Sequence, residues 1–337
     1  MLSIREWVVM WLIVIFCVGL VAGWSAVLWA ASLAEEARPA GIRWCRGCAA
    51  RLPVFSAVVP WAGHCSGCRA RTSSGPWLAA VGTGCLFAVF AYLLEQGCQT
   101  VTEVRPAQAL WQARLPFHLL LLFLLVTAVA ADLIDYVIPD QIILPGTLAA
   151  LLLSFASGDL QLIHIWVDWS DEMVQVYGPW LPQWMKDHQH LHGLAWSLCG
   201  AVSGASLVWA GRVAANRILG FPAIGFGDVT LMAMIGAFMG WQPVLCVLAV
   251  SPLAGIVLGL AVFVLTGRGF MAFGPCLAAG AVIVLCTWNA IWEQQGLRII
   301  FGHWPTIAGL ILSAFSLYCL LLLGVRWFRS TPVSRLR

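Results

Sequence analysis

Apolar runs close to twenty residues long recur along the whole chain with short polar stretches between them, and no other feature limits the fold so severely. A run of about that length lets an α-helix cross the ~30 Å hydrocarbon core of a bilayer. In lipid the backbone must satisfy its own hydrogen bonds, and a helix does this within a single segment. Candidate spans fall near 7–33, 77–95, 115–134, 141–157, 193–211, 229–240, 243–266, 271–292 and 305–327. Only 10% of the residues are charged, against about 25% in a soluble domain. The expectation is an all-α polytopic membrane protein of about eight to nine transmembrane helices, embedded in the lipid bilayer. The first run, Trp7 to Leu33, is too long for a signal-peptide core and lacks a small-residue cleavage site, so it reads as a retained helix.

Two polar insertions interrupt the apolar pattern. Residues 34–75 carry Arg38, Arg43, Arg46, Arg51, Arg69 and Arg71, whereas residues 158–192 carry Asp159, Asp168, Asp171, Glu172 and Asp187 against Lys186, the lone lysine. A formal charge of +3 gives no support to a nucleic-acid partner. The arginines read instead as topology signals. The positive-inside rule places the first insertion in the cytoplasm and the N-terminus outside. Nine alternating spans then put the acidic insertion outside, although Arg105 and Arg114 also fall there. Arg212, Arg217, Arg268 and the tail 330–337 fall inside. The stretch "AADLIDYVIPDQ" (130–141) and the loop "GFPAIGFGDVT" (220–230) thereby share the cytoplasmic side. The chain divides into a first helix (1–33), the basic insertion (34–75), a helical bundle (76–329) with its extracytoplasmic loop 158–192, and the tail.

The acidic loop holds Trp166, Trp169, Trp180 and Trp184, with His164, His188, His190 and His192 nearby. Its H-x-H-x-H run aims three rings one way only on a strand. An interfacial segment anchored by its Trp rings is the favoured reading over a metal site.

Cys45 and Cys48, then Cys65 and Cys68, form two C-x-x-C pairs with sixteen residues between them. Each pair makes a tight turn that aims both sulfurs at one point, and Gly47 and Gly67 suit those turns. Tetrahedral Zn²⁺ would supply the folding energy that a small insertion lacks in its own core. Two disulfides are the alternative, but they need an oxidising compartment, and the arginines put this segment in the reducing cytoplasm. The zinc is therefore expected to be structural. Cys17, Cys85, Cys199, Cys246, Cys276, Cys286 and Cys319 lie in apolar segments and read as small buried hydrophobes. Cys98 takes no assignment.

Ionisable groups at spans cost several kcal/mol unless they face a polar cavity or a partner. Asp132 ends the third apolar run, with Asp135 one helical turn further on the same face. Asp228 closes "GFGD", where Gly225 and Gly227 permit a bend and a close backbone approach; it could also cap the helix that follows. When two carboxylates share a site, one can act as base while its protonated partner polarises a scissile carbonyl. The bland alternative is that Asp132, Asp135 and Asp140 mark the end of a span among polar headgroups.

"DLIDYVIPDQIILP" resembles the D-x5-(I/L)-P-(D/N) motif of the type IV prepilin leader peptidases, and "GFGDVTLM" resembles their G-x-G-D motif. The Cys pairs resemble that family's cytoplasmic zinc-binding insertion, and "FGPCLAAGA" (273–281) its late-helix F-G-P motif. The resemblance implies that Asp132, seven residues before Pro139, and Asp228 are the catalytic aspartates. Asp135 is the rival, Asp140 shapes the loop after Pro139, and Gly225 and Gly227 support Asp228. It also implies a bacterial inner-membrane peptidase that removes short basic leaders from type IV prepilins or pseudopilins, the substrates of pilus and type II secretion systems. Many members also methylate the new N-terminus with S-adenosylmethionine. This sequence departs from the family at "GWSAVL" (23–28), "GPWLAA" (75–80) and Thr230, and no methyl-donor motif is readable. A transporter or channel using Asp132 and Asp228 for cations or protons is the rival class, favoured by expected breaks around Pro243 and Pro252. A catalytically inactive homologue is the third reading.

Overall fold

The computed structural model describes residues 4–37, 68, 75–101, 104, 108–166, 182–267 and 272–330. Apart from one isolated bridge between Val101 and Val104, the regular structure among these residues is helical. The long helices are α1 (Ile4–Ala37), α2 (Gly75–Glu95), α3 (Gln108–Asp135) and α4 (Asp140–Ser157). The short α5 (Gln183–Asp187) then leads into α6 (Gln189–Leu219), α7 (Phe226–Met239) and α8 (Trp241–Thr266). The last three are α9 (Gly274–Trp292), α10 (Gln295–Gly302) and α11 (Trp304–Ser330).

Among the described residues, eight of these helices are long and apolar enough to cross a membrane. This is a multi-pass membrane protein. The ninth candidate span corresponds to α7, which has only 14 residues. At 1.5 Å per residue it is about 21 Å long, short of a ~30 Å core. It tolerates this because the other helices shelter it: from Leu231 to Met239 nearly every side chain is buried. Helices α3, α4, α6, α8 and α9 surround it, while α1 packs on α2 and α3, and α11 leans on α6.

Helix association in lipid gains little from the hydrophobic effect, so close packing through small residues carries more of it. The contact of α6 with α7 shows this. A Cβ on Gly200 would strike the carbonyl oxygen of Gly236, one on Gly236 would strike that of Gly200, and one on Gly204 would strike that of Met232. Ser197 Oγ donates to the Ala237 carbonyl at 2.6 Å. Helix α7 stops at Gly240, whose φ of +84° suits glycine and whose missing side chain leaves room for the Trp196 indole.

The bundle has two distinct ends. At one, the Arg114 guanidinium donates to the Gln161 carbonyl, Trp241 Nε1 donates to Ile165 O at 2.7 Å, and Gln242 Nε2 donates to His164 O at 2.8 Å. The other end gathers the C-terminus of α3, the start of α7 and the start of α9.

Several sequence expectations change here. Pro243 lies in the first turn of α8 and Pro252 inside it, yet α8 runs unbroken from Trp241 to Thr266, so the breaks that favoured a transporter do not occur. Of the seven cysteines in apolar segments, only Cys276 is buried; Cys17, Cys85 and Cys199 are exposed on the bundle surface. A thiol facing lipid is already in an apolar medium, so the sequence pattern does not distinguish the two settings. The H-x-H-x-H run begins a helix, which turns His192 inward and leaves His190 exposed. Of the zinc ligand set, Cys45, Cys48 and Cys65 lie outside the described residues, and Cys68 is exposed. Among the described residues no group of three or more His, Cys, Asp or Glu could hold a metal.

Candidate active site

Helix α3 ends at Asp135 because Tyr136 adopts a left-handed φ of +56°. Such a backbone costs a β-carbon-bearing residue about 1–2 kcal/mol. The Tyr136 amide still donates to Asp132 O at 2.9 Å, which holds Asp132 in the last helical turn. Residues 137–139 then leave the helix, and Pro139 becomes the N-cap of α4 with Asp140 in its first turn.

Asp228 does not cap α7. Gly225 is the N-cap, no side chain caps the helix, and Asp228 stands third in its first turn. Thr230 Oγ1 donates back to Gly227 O at 3.1 Å.

Ile138 joins these pieces. A Cβ on Gly227 would lie 3.0 Å from Ile138 Cβ, and one on Gly274 would lie 3.2 Å from Ile138 Cδ1 and 2.5 Å from Asp132 Oδ2. One buried isoleucine thus touches the start of α7 beside Asp228 and the start of α9 beside Asp132. Asp132 is 5% exposed and Asp228 8%. Burial, then the charge of Asp132, pushes the Asp228 carboxyl up to about 6, while a hydrogen bond from the Gly225 backbone opposes the shift. Asp228 lies outside the eight spanning segments. The two aspartates are therefore neighbours within electrostatic reach, 96 positions apart in sequence. Cys276 lies within reach of both. Asp135 is half-buried and Asp140 exposed, and Asp132 is the carboxylate whose charge reaches Asp228.

Helix α6 extends past the level of the pair. The Gly200–Gly236 and Gly204–Met232 contacts step in opposite directions, so Asp228 lies near the level of Val208. Helix α6 runs on to Leu219, roughly 16 Å further at 1.5 Å per residue. Its last turns hold the loop 220–225, which leads into Asp228. Arg212 Nε donates to Ile224 O at 3.1 Å, its guanidinium lies 5.7 Å from the Phe226 ring centroid, and Asn216 Oδ1 accepts from the Ala223 amide at 3.0 Å. Exposed Leu133, Tyr136, Val137 and Phe226 flank the aspartates with apolar surface.

Residues 119–260, which include both aspartates, Ile138 and the loop, match the type IV leader peptidase family. Over this stretch the chain is similar to the type IV leader peptidases. A protein of Aeromonas salmonicida (strain A449) named prepilin leader peptidase/N-methyltransferase is 27% identical over 232 residues, covering 68% of this chain and 64% of that protein. One of the same name from Pseudomonas putida is 29% identical over 243 residues, covering 69% of this chain and 66% of that protein. A third, from Burkholderia pseudomallei (strain 1026b), is 35% identical over 95 residues, 26% of this chain and 30% of that protein. The chain thus aligns with somewhat less than two thirds of the length of the first of these relatives. No solved structure matches.

The sequence singled out Asp132, Asp228, Gly225 and Gly227. It did not assign Ile138, Arg212, Asn216 or Gly274 a place at the site. Gly274 appeared only as the middle letter of F-G-P, and Arg212 only as a topology charge.

Proposed function

We propose that the protein is a membrane aspartic endopeptidase that removes the leader from type IV prepilins or pseudopilins at the cytoplasmic face of a bacterial inner membrane. The observation that carries this is the buried Asp132–Asp228 pair within the stretch that matches the leader peptidases. In the proposed reaction Asp132 takes a proton from water as its oxygen attacks the scissile carbonyl. Asp228, which keeps its proton to higher pH than a free carboxyl, donates a hydrogen bond to the carbonyl oxygen. Collapse of the tetrahedral intermediate breaks the C–N bond. The proton held by Asp132 passes to the leaving amine, which restores the Asp132 carboxylate, and the products are a carboxylic acid and a free amine.

A pair at one end of the bundle, flanked by exposed apolar residues, suits a leader that enters from the aqueous side while the following apolar helix lies among the spans. The arginines support the orientation: Arg326 Nη1 donates to Ile218 O at 3.1 Å, and Arg329 lies 5.3 Å from the Phe221 ring centroid. With Arg212 and Arg217 they support a cytoplasmic setting for the aspartate end under the positive-inside rule.

Two further parts belong to the same reading. The Cys45, Cys48, Cys65 and Cys68 set binds a structural zinc, which metal analysis of the purified protein against Cys45→Ser and Cys65→Ser tests. Methyl transfer from S-adenosylmethionine to the trimmed N-terminus rests on the relatives' names alone. No feature of the described residues assigns a methyl-donor site, so no step is derived through that cofactor.

The deciding experiment is cleavage of a pilin-like precursor by detergent-purified protein, compared with Asp132→Asn, Asp228→Asn and Asp135→Asn. Activity should vanish in the first two and persist in the third. Activity that survives in Asp228→Asn would remove the dyad.

A further inference from the structure

Gly274 begins α9, and Asp132 Oδ2 occupies the space that a side chain at this position would need. Its backbone does not require glycine, because it is absent from the positive-φ residues. The demand for glycine comes from the space. A Cβ there would lie 2.5 Å from Asp132 Oδ2 and 3.3 Å from Asp132 Cγ.

The donors at this helix end narrow the choice. Pro275 has no N–H. The amides of Cys276 and Leu277 both donate to Phe273 O, at 2.9 and 3.2 Å. The Gly274 amide is left facing the carboxylate. The geometry is too loose for a full hydrogen bond, so the buried Oδ2 has no well-formed partner among the described residues. The positive end of the α9 dipole nevertheless points at the carboxylate.

Resting on the aspartic-peptidase reading above, we propose that Gly274 is a positioning residue. Its bare α-carbon lets the one uncommitted amide at the start of α9 orient Asp132 for water activation. It touches neither water nor peptide and acts only through Asp132.

The test begins with wild-type cleavage of a precursor, since failure there counts against the peptidase reading and not against this one. Gly274→Ala is then compared with Ile138→Val and with the double variant. Removing Ile138 Cδ1 relieves one of the two clashes of the new methyl and leaves the one with Asp132. In Gly274→Ala, kcat should fall at least about 100-fold, the scale set by a misplacement near 1 Å, with KM unchanged. The double variant should regain thermal stability without regaining kcat. Recovery of kcat in step with stability would overturn the proposal, as would a loss confined to KM. Failure of both Gly274 variants to fold would assign the glycine to packing and overturn it too.

Discussion

Asp228→Asn should stabilise the protein at neutral pH while abolishing its activity, and the stabilisation should depend on pH in a defined direction. Asp228 is 8% exposed, and its carboxyl is raised from 3.8 to about 6. Below about pH 4 it is protonated whether the protein is folded or not, so it carries no penalty. As pH rises from 4 towards 6, the unfolded chain gives up its proton first and the folded state holds on. Stability therefore falls with pH through this window, and the full penalty stands above pH 6. A shift of about two units at 1.36 kcal/mol each amounts to on the order of 3 kcal/mol. Asparagine resembles the protonated carboxyl and does not titrate. Wild type and Asp228→Asn should therefore unfold at similar temperatures near pH 4 and diverge by on the order of 5 °C or more at pH 7.5. Thermal unfolding in detergent, followed by circular dichroism at four pH values, reads this directly. Exposed Asp140→Asn serves as the control and should track wild type. A gap that stays constant with pH, or an Asp228→Asn protein less stable at pH 7.5, would refute the burial argument.

Three other perturbations test separate parts of the structure. Arg212→Ala removes both the Ile224 hydrogen bond and the Phe226 contact that hold the loop leading into Asp228; kcat/KM in precursor cleavage should drop about tenfold, for roughly 1.4 kcal/mol lost, and an unchanged value would show that the loop needs no such clamp. His118 is fully buried with neither ring nitrogen partnered among the described residues, so His118→Leu should raise the unfolding temperature, corresponding to about 1–3 kcal/mol of relieved desolvation; a fall would reveal a partner that matters. Gly236→Ala drives a methyl into the Gly200 carbonyl and should cost about 1–3 kcal/mol, whereas Gly259→Ala, with open space around it, should leave the melting temperature unchanged.

How much of this was legible in the sequence differs between fold and site. The spans were readable because lipid imposes one requirement on every stretch that crosses it, and the sequence states it residue by residue. The same pattern held for α7 in an unexpected form. This 14-residue apolar helix joins the aspartate end of the bundle to the Trp241 end although it is shorter than a lipid core is thick, and its enclosure by five other helices allows that. Burial of the cysteines was misread, since apolar surroundings within protein and within lipid select the same residues. At the site, Asp132, Asp135, Asp140 and Asp228 stood out because a carboxylate beside a span needs a reason, and the family resemblance chose Asp132 and Asp228 among them. Ile138 and Gly274 carried no such cost, and nothing in a run of apolar letters marks the one that wedges two helix starts apart.

The sequence by itself determined that the chain crosses the membrane many times, where its helices run, and which few carboxylates stand beside the apolar runs. Each of these follows from local chemistry: hydrophobicity over about twenty residues and the cost of a charge. Only the tertiary structure decided that Asp132 and Asp228 are neighbours and that Gly274 faces the carboxylate. Those facts depend on how three helix ends converge across 96 and 142 positions of sequence. Contacts at that range are fixed by packing, through Gly200 on Gly236 and Ile138 between two glycines, and packing is a property of pairs that no single stretch of sequence contains.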